Sequence, residues 1–263
     1  MRWIKRLKWM RASKIIIPIA LAISLVFAGF SVYAKEAEYF VLRVNNPEGI
    51  NLALTMNRDL SGQTRNLRVP VNGGYNNTTW YPDTYLQYDE KKYGSNLPDD
   101  IAQHDGEHSV WETSDRMAYF SFSFWIVNNS DRAVDVDWQM YIDGMTVINT
   151  EQYSHMDDAV RIMVIEGEPL LSENTYRIYK KAEKTQEDED HLNSHIAYGT
   201  HNTYTFENDV CIFDRSDDLG ILNFEAGGTR RFTIVIWLEG WDVDCVDMIR
   251  SETMKMSINF TAK

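Results

Sequence analysis

Hydrophobic residues recur at every second position in one segment of this chain after another. In INLALTMN, Ile50, Leu52, Leu54 and Met56 alternate with Asn51, Ala53, Thr55 and Asn57. In YFSFSFWIV, Phe120, Phe122, Phe124 and Ile126 alternate with Ser121, Ser123 and Trp125. After NNSD comes AVDVDWQMYI, with Val134, Val136, Trp138, Met140 and Ile142 on one side and Asp135, Asp137, Gln139 and Tyr141 on the other. RFTIVIWLEG repeats the pattern with Phe232, Ile234, Ile236 and Leu238, and KMSINFTA with Met256, Ile258 and Phe260. Successive side chains of a strand face opposite sides, so each segment predicts a strand that buries one face and wets the other.

AVRIMVIEG is apolar on both faces apart from Arg161, which predicts a central strand. YRIYKKA adds another strand. Turn signals such as NNSD, IDGM and EAGG separate these segments. The count comes to about eight to ten strands, mostly antiparallel because their connections are short. An all-β antiparallel sandwich, jelly-roll-like, buries that many half-apolar strands. Two stretches depart from the alternation and read as insertions. Residues 58–117 are long, polar and aromatic, and residues 180–200 include KKAEKTQEDEDHLNSH, charged throughout and without an apolar stripe. Residues 35–263 are expected to form one domain.

Charge divides the chain at residue 34. Arg2, Lys5, Arg6, Lys8, Arg11 and Lys14 precede an uncharged run from Ile15 to Phe30, and Val32 and Ala34 follow as a small-residue cleavage pattern. Residues 1–34 have the form of a signal peptide, or of an uncleaved signal anchor held in the membrane through residues 15–33. Either way residues 35–263 are expected to be extracellular or at the cell surface. All 39 acids lie after residue 34, against 20 of the 26 basic residues, a net charge of −19. Such a surface repels nucleic acid and anionic membrane. The only two cysteines, Cys211 and Cys245, both lie in this part. In an oxidising compartment a pair predicts one disulfide, stabilising by about 3–4 kcal/mol for a loop of this length. Two buried thiols are the alternative.

Three pieces together carry a family resemblance: the export segment, the hairpin YFSFSFWIVNNSDRAVDVDWQMYI, and the late strand FTIVIWLEG followed by WDVDC. The chain resembles the secreted β-sandwich proteins of Gram-positive bacteria that include TasA and camelysin. Their strand ending in tryptophan, an acidic residue and glycine, then an aspartate-rich loop, corresponds here to Trp237, Glu239, Gly240, Asp242, Asp244 and Asp247. The resemblance implies a jelly-roll sandwich and, for some members, extracellular fibres of the biofilm matrix. Camelysin-like members are classed as metallopeptidases. The cleavage region and the 58–117 stretch of this chain depart from the family pattern.

Candidate chemistry is sparse. HLNSHIAYGTH places His191, His195 and His201 at a spacing close to that of metzincin zinc ligands, with His201 one position late. Leu192 stands where the catalytic glutamate would be, so the base is missing. A polar loop is the expected reading, with a transition-metal (zinc) site without turnover as the alternative. HDGEH, residues 104–108, spells an inverted zinc-protease motif, but Asp105 and Gly106 favour a turn over the helix it needs. Glu239, Asp242, Asp244 and Asp247 crowd one loop. A solvated acidic turn is expected there, with calcium as the alternative, and a disulfide would bring Asp214, Asp217 and Asp218 towards it. Trp80 and Tyr81, within the aromatic 75–93 loop, offer flat faces for a sugar or a roof for the sandwich edge. No serine-hydrolase elbow, phosphate loop or nucleotide fingerprint occurs, so an enzyme is not expected. The expected role is an exported surface or matrix structural protein whose partner is another exported protein or itself. A carbohydrate-binding surface protein is the alternative, and a camelysin-like metallopeptidase a more remote one. Assembly would run through EAEYFVLRVNN, apolar at Tyr39, Val41 and Val44, which could pair as a strand with a neighbouring subunit or within its own chain.

Overall fold

A computed structural model describes residues 39–70, 106–111, 117–147, 151, 153–167, 176–195, 202–215 and 220–263. Among the described residues, two β-sheets carry almost all of the regular structure. The first, sheet A, contains β1 (Tyr39–Asn45), β3 (Asn66–Pro70), β6 (Val134–Thr146), β10 (Cys211–Arg215), β11 (Ile221–Phe224) and β13 (Thr253–Ala262), in the order β10-β6-β13-β1-β3, with β11 also on β6. The second, sheet B, contains β2 (Leu52–Thr55), β4 (Gly106–Trp111), β5 (Met117–Asn128), β7 (Val160–Glu166), β8 (Tyr176–Lys180), β9 (Thr203–Thr205) and β12 (Thr229–Leu238). Its order is β2-β5-β12-β7-β8-β9, with β4 also on β5. The two sheets close over one core, and the architecture is an all-β sandwich.

The period-two residues fill that core. Phe40, Leu42 and Val44 of β1, Trp138 and Met140 of β6 and Phe260 of β13 meet Phe122 and Phe124 of β5 and Phe232 of β12. Rings touch across the gap, Phe40 and Phe122 at 4.8 Å and Trp138 and Phe232 at 5.0 Å, and within sheet A Trp138 lies 4.8 Å from Phe213. On β1 the inward residues are Phe40, Leu42 and Val44, so Val41 faces the other side.

The two sheets differ in their second faces. On β6 of sheet A, Asp135 and Asp143 are exposed and Asp137, Gln139 and Tyr141 half-buried, as alternation predicts. Sheet B departs from that expectation. Ser121, Ser123, Thr233, Val235, Met163 and Ile165 are all fully buried although none belongs to the inter-sheet core. Ser123 and Thr233 join hydroxyls at 2.8 Å, and Arg231 donates to the Ser123 hydroxyl. A serine that satisfies its hydroxyl on a neighbouring strand can be buried at small cost, which is why the polar half of this alternation does not mark solvent. The expectation for AVRIMVIEG holds: β7 lies between β12 and β8 and is buried on both faces.

Two strand pairs are parallel. β1 pairs with β13, so the first and last strands of the fold are neighbours, and β8 pairs with β9. Parallel neighbours need a long crossover. For β8 and β9 it carries the helix α2 (Gln186–His195); a shorter helix, α1 (Met156–Ala159), precedes β7. The 58–117 stretch contributes β3 and β4 to the sheets; residues 71–105 and 112–116 lie outside the described residues. Within HDGEH, Gly106, Glu107 and His108 belong to β4, an extended strand that cannot make a helical zinc motif.

Cys211 and Cys245 are not bonded to each other in this structure. Cys211 opens β10 opposite Tyr141, and Cys245 closes a tight turn in which its N–H donates to the Asp242 carbonyl. Export and an even count argued for pairing, but neither carries distance, and a disulfide needs Cα atoms within about 7 Å and converging Cβ vectors. Burial pushes the Cys211 thiol up, with Asp214 and Glu207 adding to it. Residues 1–34 lie outside the described residues, and among those described no helix is long and apolar enough to cross a membrane.

Candidate functional site

Three strand ends converge at one end of sheet B: the end of β12, the start of β7 and the end of β8. Their register sets Trp237, Arg161 and Lys180 side by side. Ile162, Ile236 and Tyr179, their chain neighbours, point into the inter-sheet core, so this row lies on the opposite face. Arg161 has no exposed surface and Lys180 almost none. Two cations placed opposite each other on paired strands repel, and burial makes the repulsion worse.

Carboxylates from two other segments answer that charge. The loop after β12 brings Asp242 to 2.7 Å from the Arg161 guanidinium. The turn between β8 and α2 brings Glu183 to 3.3 Å from Arg161 and 3.0 Å from Lys180. Glu189 of α2 meets Lys180 at 2.6 Å. Arg161 also donates to the carbonyls of Val160 and Asp158. A second tier continues the pattern: Lys181 joins Asp157 and Asp158, and Lys184 bridges Asp158 to Asp244 at 2.9 Å each. Ser154 donates to Asp244, whose N–H donates to Asp242. Glu252 accepts from the Met156 N–H and meets His155 at 3.0 Å, tying α1 to the start of β13.

Proton affinities follow from this packing. Burial pushes Glu183 above the usual carboxylate range, and the facing charge of Asp242 pushes it further, against the pull of Arg161 and Lys180. Burial raises Asp242 as well, opposed by Arg161. One guanidinium shared by two buried carboxylates leaves both short of compensation. Burial also works against Lys181, but Asp157 and Asp158 outweigh it and hold the ammonium above the usual lysine range. Asp158 lies below the usual carboxylate range, because hydrogen bonds from Lys184, the His155 backbone and Lys181 overcome its burial.

The aspartate loop therefore differs from a solvated acidic turn. Glu239, Asp242 and Asp244 are buried, and only Asp247 is exposed. Glu239 accepts from the Trp237 indole N–H and the Trp241 backbone N–H. Oxygens of Glu183, Asp242 and Asp244 lie close enough together to ligate one ion. Those oxygens already face Arg161, Lys180 and Lys184, so a divalent cation would compete with protein cations for each of them. The donor chemistry suits calcium, but the arrangement as built is a set of ion pairs that clamps a loop, a helix and three strands together.

The histidine triplet is only partly described. His191 and His195 lie on α2, exposed, with ring centroids 4.6 Å apart. His195 stacks on Trp241 at 4.5 Å. Leu192, which stands in place of the zinc-protease glutamate, is the buried residue of α2, so this position holds the helix down rather than facing a ligand. His201, Trp80, Tyr81, Asp217 and Asp218 lie outside the described residues. Asp214 is on β10, where it accepts from Gln139.

Sequence reasoning did not find Lys180, Lys181, Glu183, Lys184, Asp157 or Asp158. One signal was present: Arg161 interrupts an otherwise apolar strand, and a cation in such a strand requires a buried carboxylate from elsewhere. The sequence says nothing about which of its 39 acids supplies it. No family model matches the chain, no curated protein matches it, and no solved structure matches it.

Proposed function

We propose that the chain is an exported cell-surface or extracellular-matrix structural protein that assembles by exchange of its first strand. The observation that carries this reading is the place of β1. It directly follows the basic and apolar N-terminal segment and fills a slot between β13 and β3, with Phe40, Leu42 and Val44 in the core. A first described strand held between two neighbours of one sheet can leave that slot and enter the same slot of the next copy. Such a head-to-tail exchange gives open chains of subunits at little cost in contacts. The TasA and camelysin resemblance of the hairpin and the late strand supports the same reading. So does the ion network, in which the carboxylates of the aspartate loop are engaged by protein groups and serve to hold the end of the sandwich rigid.

A cross-link tests it. Arg43 of β1 and Asn259 of β13 are register partners on the half-exposed face of sheet A. Residues 35–263 carrying Arg43→Cys and Asn259→Cys, with Cys211 and Cys245 replaced by serine, would be oxidised after concentration. Exchange gives a ladder of covalent oligomers on a non-reducing gel. Covalently closed monomers at every concentration, with β1 never leaving its own sheet, would reject assembly through this strand.

A further inference from the structure

Helix α2 carries an arrangement that the ion network does not use. Its buried side chain, Leu192, and its ion pair from Glu189 to Lys180 hold one side against sheet B. His191 and His195 are exposed, one helical turn apart, with neighbouring rings. Residues four apart on a helix project from the same face. Two imidazoles at about 2.0–2.1 Å from one metal have ring centroids about 4.5 Å apart at the roughly 90° angle of tetragonal copper or nickel, and about 5.2 Å apart at the tetrahedral angle of zinc. The observed separation is 4.6 Å.

Hydrogen bonds fix the orientation of His195. Its Nδ1 lies 2.9 Å from the backbone carbonyl of His191 and 2.8 Å from the Ser194 hydroxyl. Ser194 already donates its hydrogen to that same carbonyl. A carbonyl can only accept, so Nδ1 carries the hydrogen and the lone pair of neutral His195 sits on Nε2. A backbone carbonyl on one ring nitrogen, with the other left to ligate, is the usual outer support of a metal-bound histidine. Trp241, itself held by Glu239, stacks on the same ring and limits its rotation. One ligand is thus oriented before any ion arrives, and the second stands a turn away.

We propose that His191 and His195 chelate a divalent transition-metal ion (zinc, copper or nickel) on the exposed face of α2. The site is bidentate and open, with water on the remaining positions, and it carries no general base. It is independent of strand exchange: it uses neither β1 nor a sheet edge.

Copper gives a local readout, because Cu²⁺ on His195 quenches the indole stacked on that ring. The purified full-length chain, in mild detergent, would be titrated with Cu²⁺ and with Zn²⁺ against a chromophoric competitor. Wild type is expected to bind one ion saturably and to lose fluorescence with copper. Trp241→Phe should keep the binding and lose most of the quenching. His191→Ala and His195→Ala should each weaken binding at least about tenfold, the scale seen when metal sites lose supporting groups. Both side chains are exposed, so the variants should fold as wild type. The decisive variant is the exchange His191→Asn with Asn193→His, which keeps the composition but moves one imidazole off the face of His195. Equal affinity in that variant, or quenching that survives Trp241→Phe, would overturn the chelate, as would the absence of saturable binding in wild type.

Discussion

Arg161 is a fully buried cation that pairs with Asp242 and Glu183. A fully buried guanidinium is tolerated only with good geometry and compensating charge, and removing one partner of such a pair costs about 3–5 kcal/mol because the other is left buried and uncompensated. Arg161→Met would leave Asp242 in that state and Glu183 with Lys180 alone, and chemical denaturation should show a loss of that size. Adding Asp242→Asn should restore part of it, since residues in one network are not additive; a double variant as unstable as the sum of the singles would show that the pair is not coupled. Glu183 gives a pH dependence. Burial, then the charge of Asp242, holds its carboxyl above the ordinary value. The folded state therefore binds more protons than the unfolded state between about pH 4.3 and the raised value. In that window stability falls as pH rises. Glu183→Gln carries no such proton, so the slope of unfolding free energy against pH, measured in urea, should flatten in the variant. An unchanged slope would place its origin elsewhere.

Among the elements, α2 depends most on its setting. Ten residues of mostly polar sequence do not form a stable helix alone in water. Among the described residues its contacts include Leu192 under it, the Glu189–Lys180 ion pair at its side and the stacking of His195 on Trp241. The Glu189 carboxylate of that pair is part-exposed and Lys180 keeps Glu183 as a second partner, so Leu192 should dominate. Leu192→Ala is expected to cost about 2–3 kcal/mol, within the range for buried leucine truncations. Amide exchange across residues 186–195 should speed up while the core strands keep their protection. Uniform loosening of the whole chain would mean that α2 is part of the cooperative core. The alternating strands β5, β6, β12 and β13 were legible because their apolar faces fill one core. The second face of sheet B was not legible, because Ser121, Ser123 and Thr233 are polar and yet buried, and their hydrogen bonds lie on other strands.

For the molecule as a whole, the all-β sandwich, its mostly antiparallel sheets and the central place of β7 were written into the chain by period-two patterning and by one run apolar on both faces. Both signals are local: a strand's face is decided by residues two apart, and the hydrophobic effect acts on each without reference to distant sequence. Partnership is not local. The parallel pairing of β1 with β13 joins the two ends of the fold, and the Asp242–Arg161 and Lys184–Asp244 pairs span dozens of residues. Cys211 and Cys245 show the same limit from the other side, since an even count favours a bond but carries no distance. The sequence by itself determined which residues must leave water and in what kind of element they do so. Only the tertiary structure decided which carboxylate meets which cation, because a charge can be satisfied by any opposite charge within reach and reach is set by the packing of the whole chain.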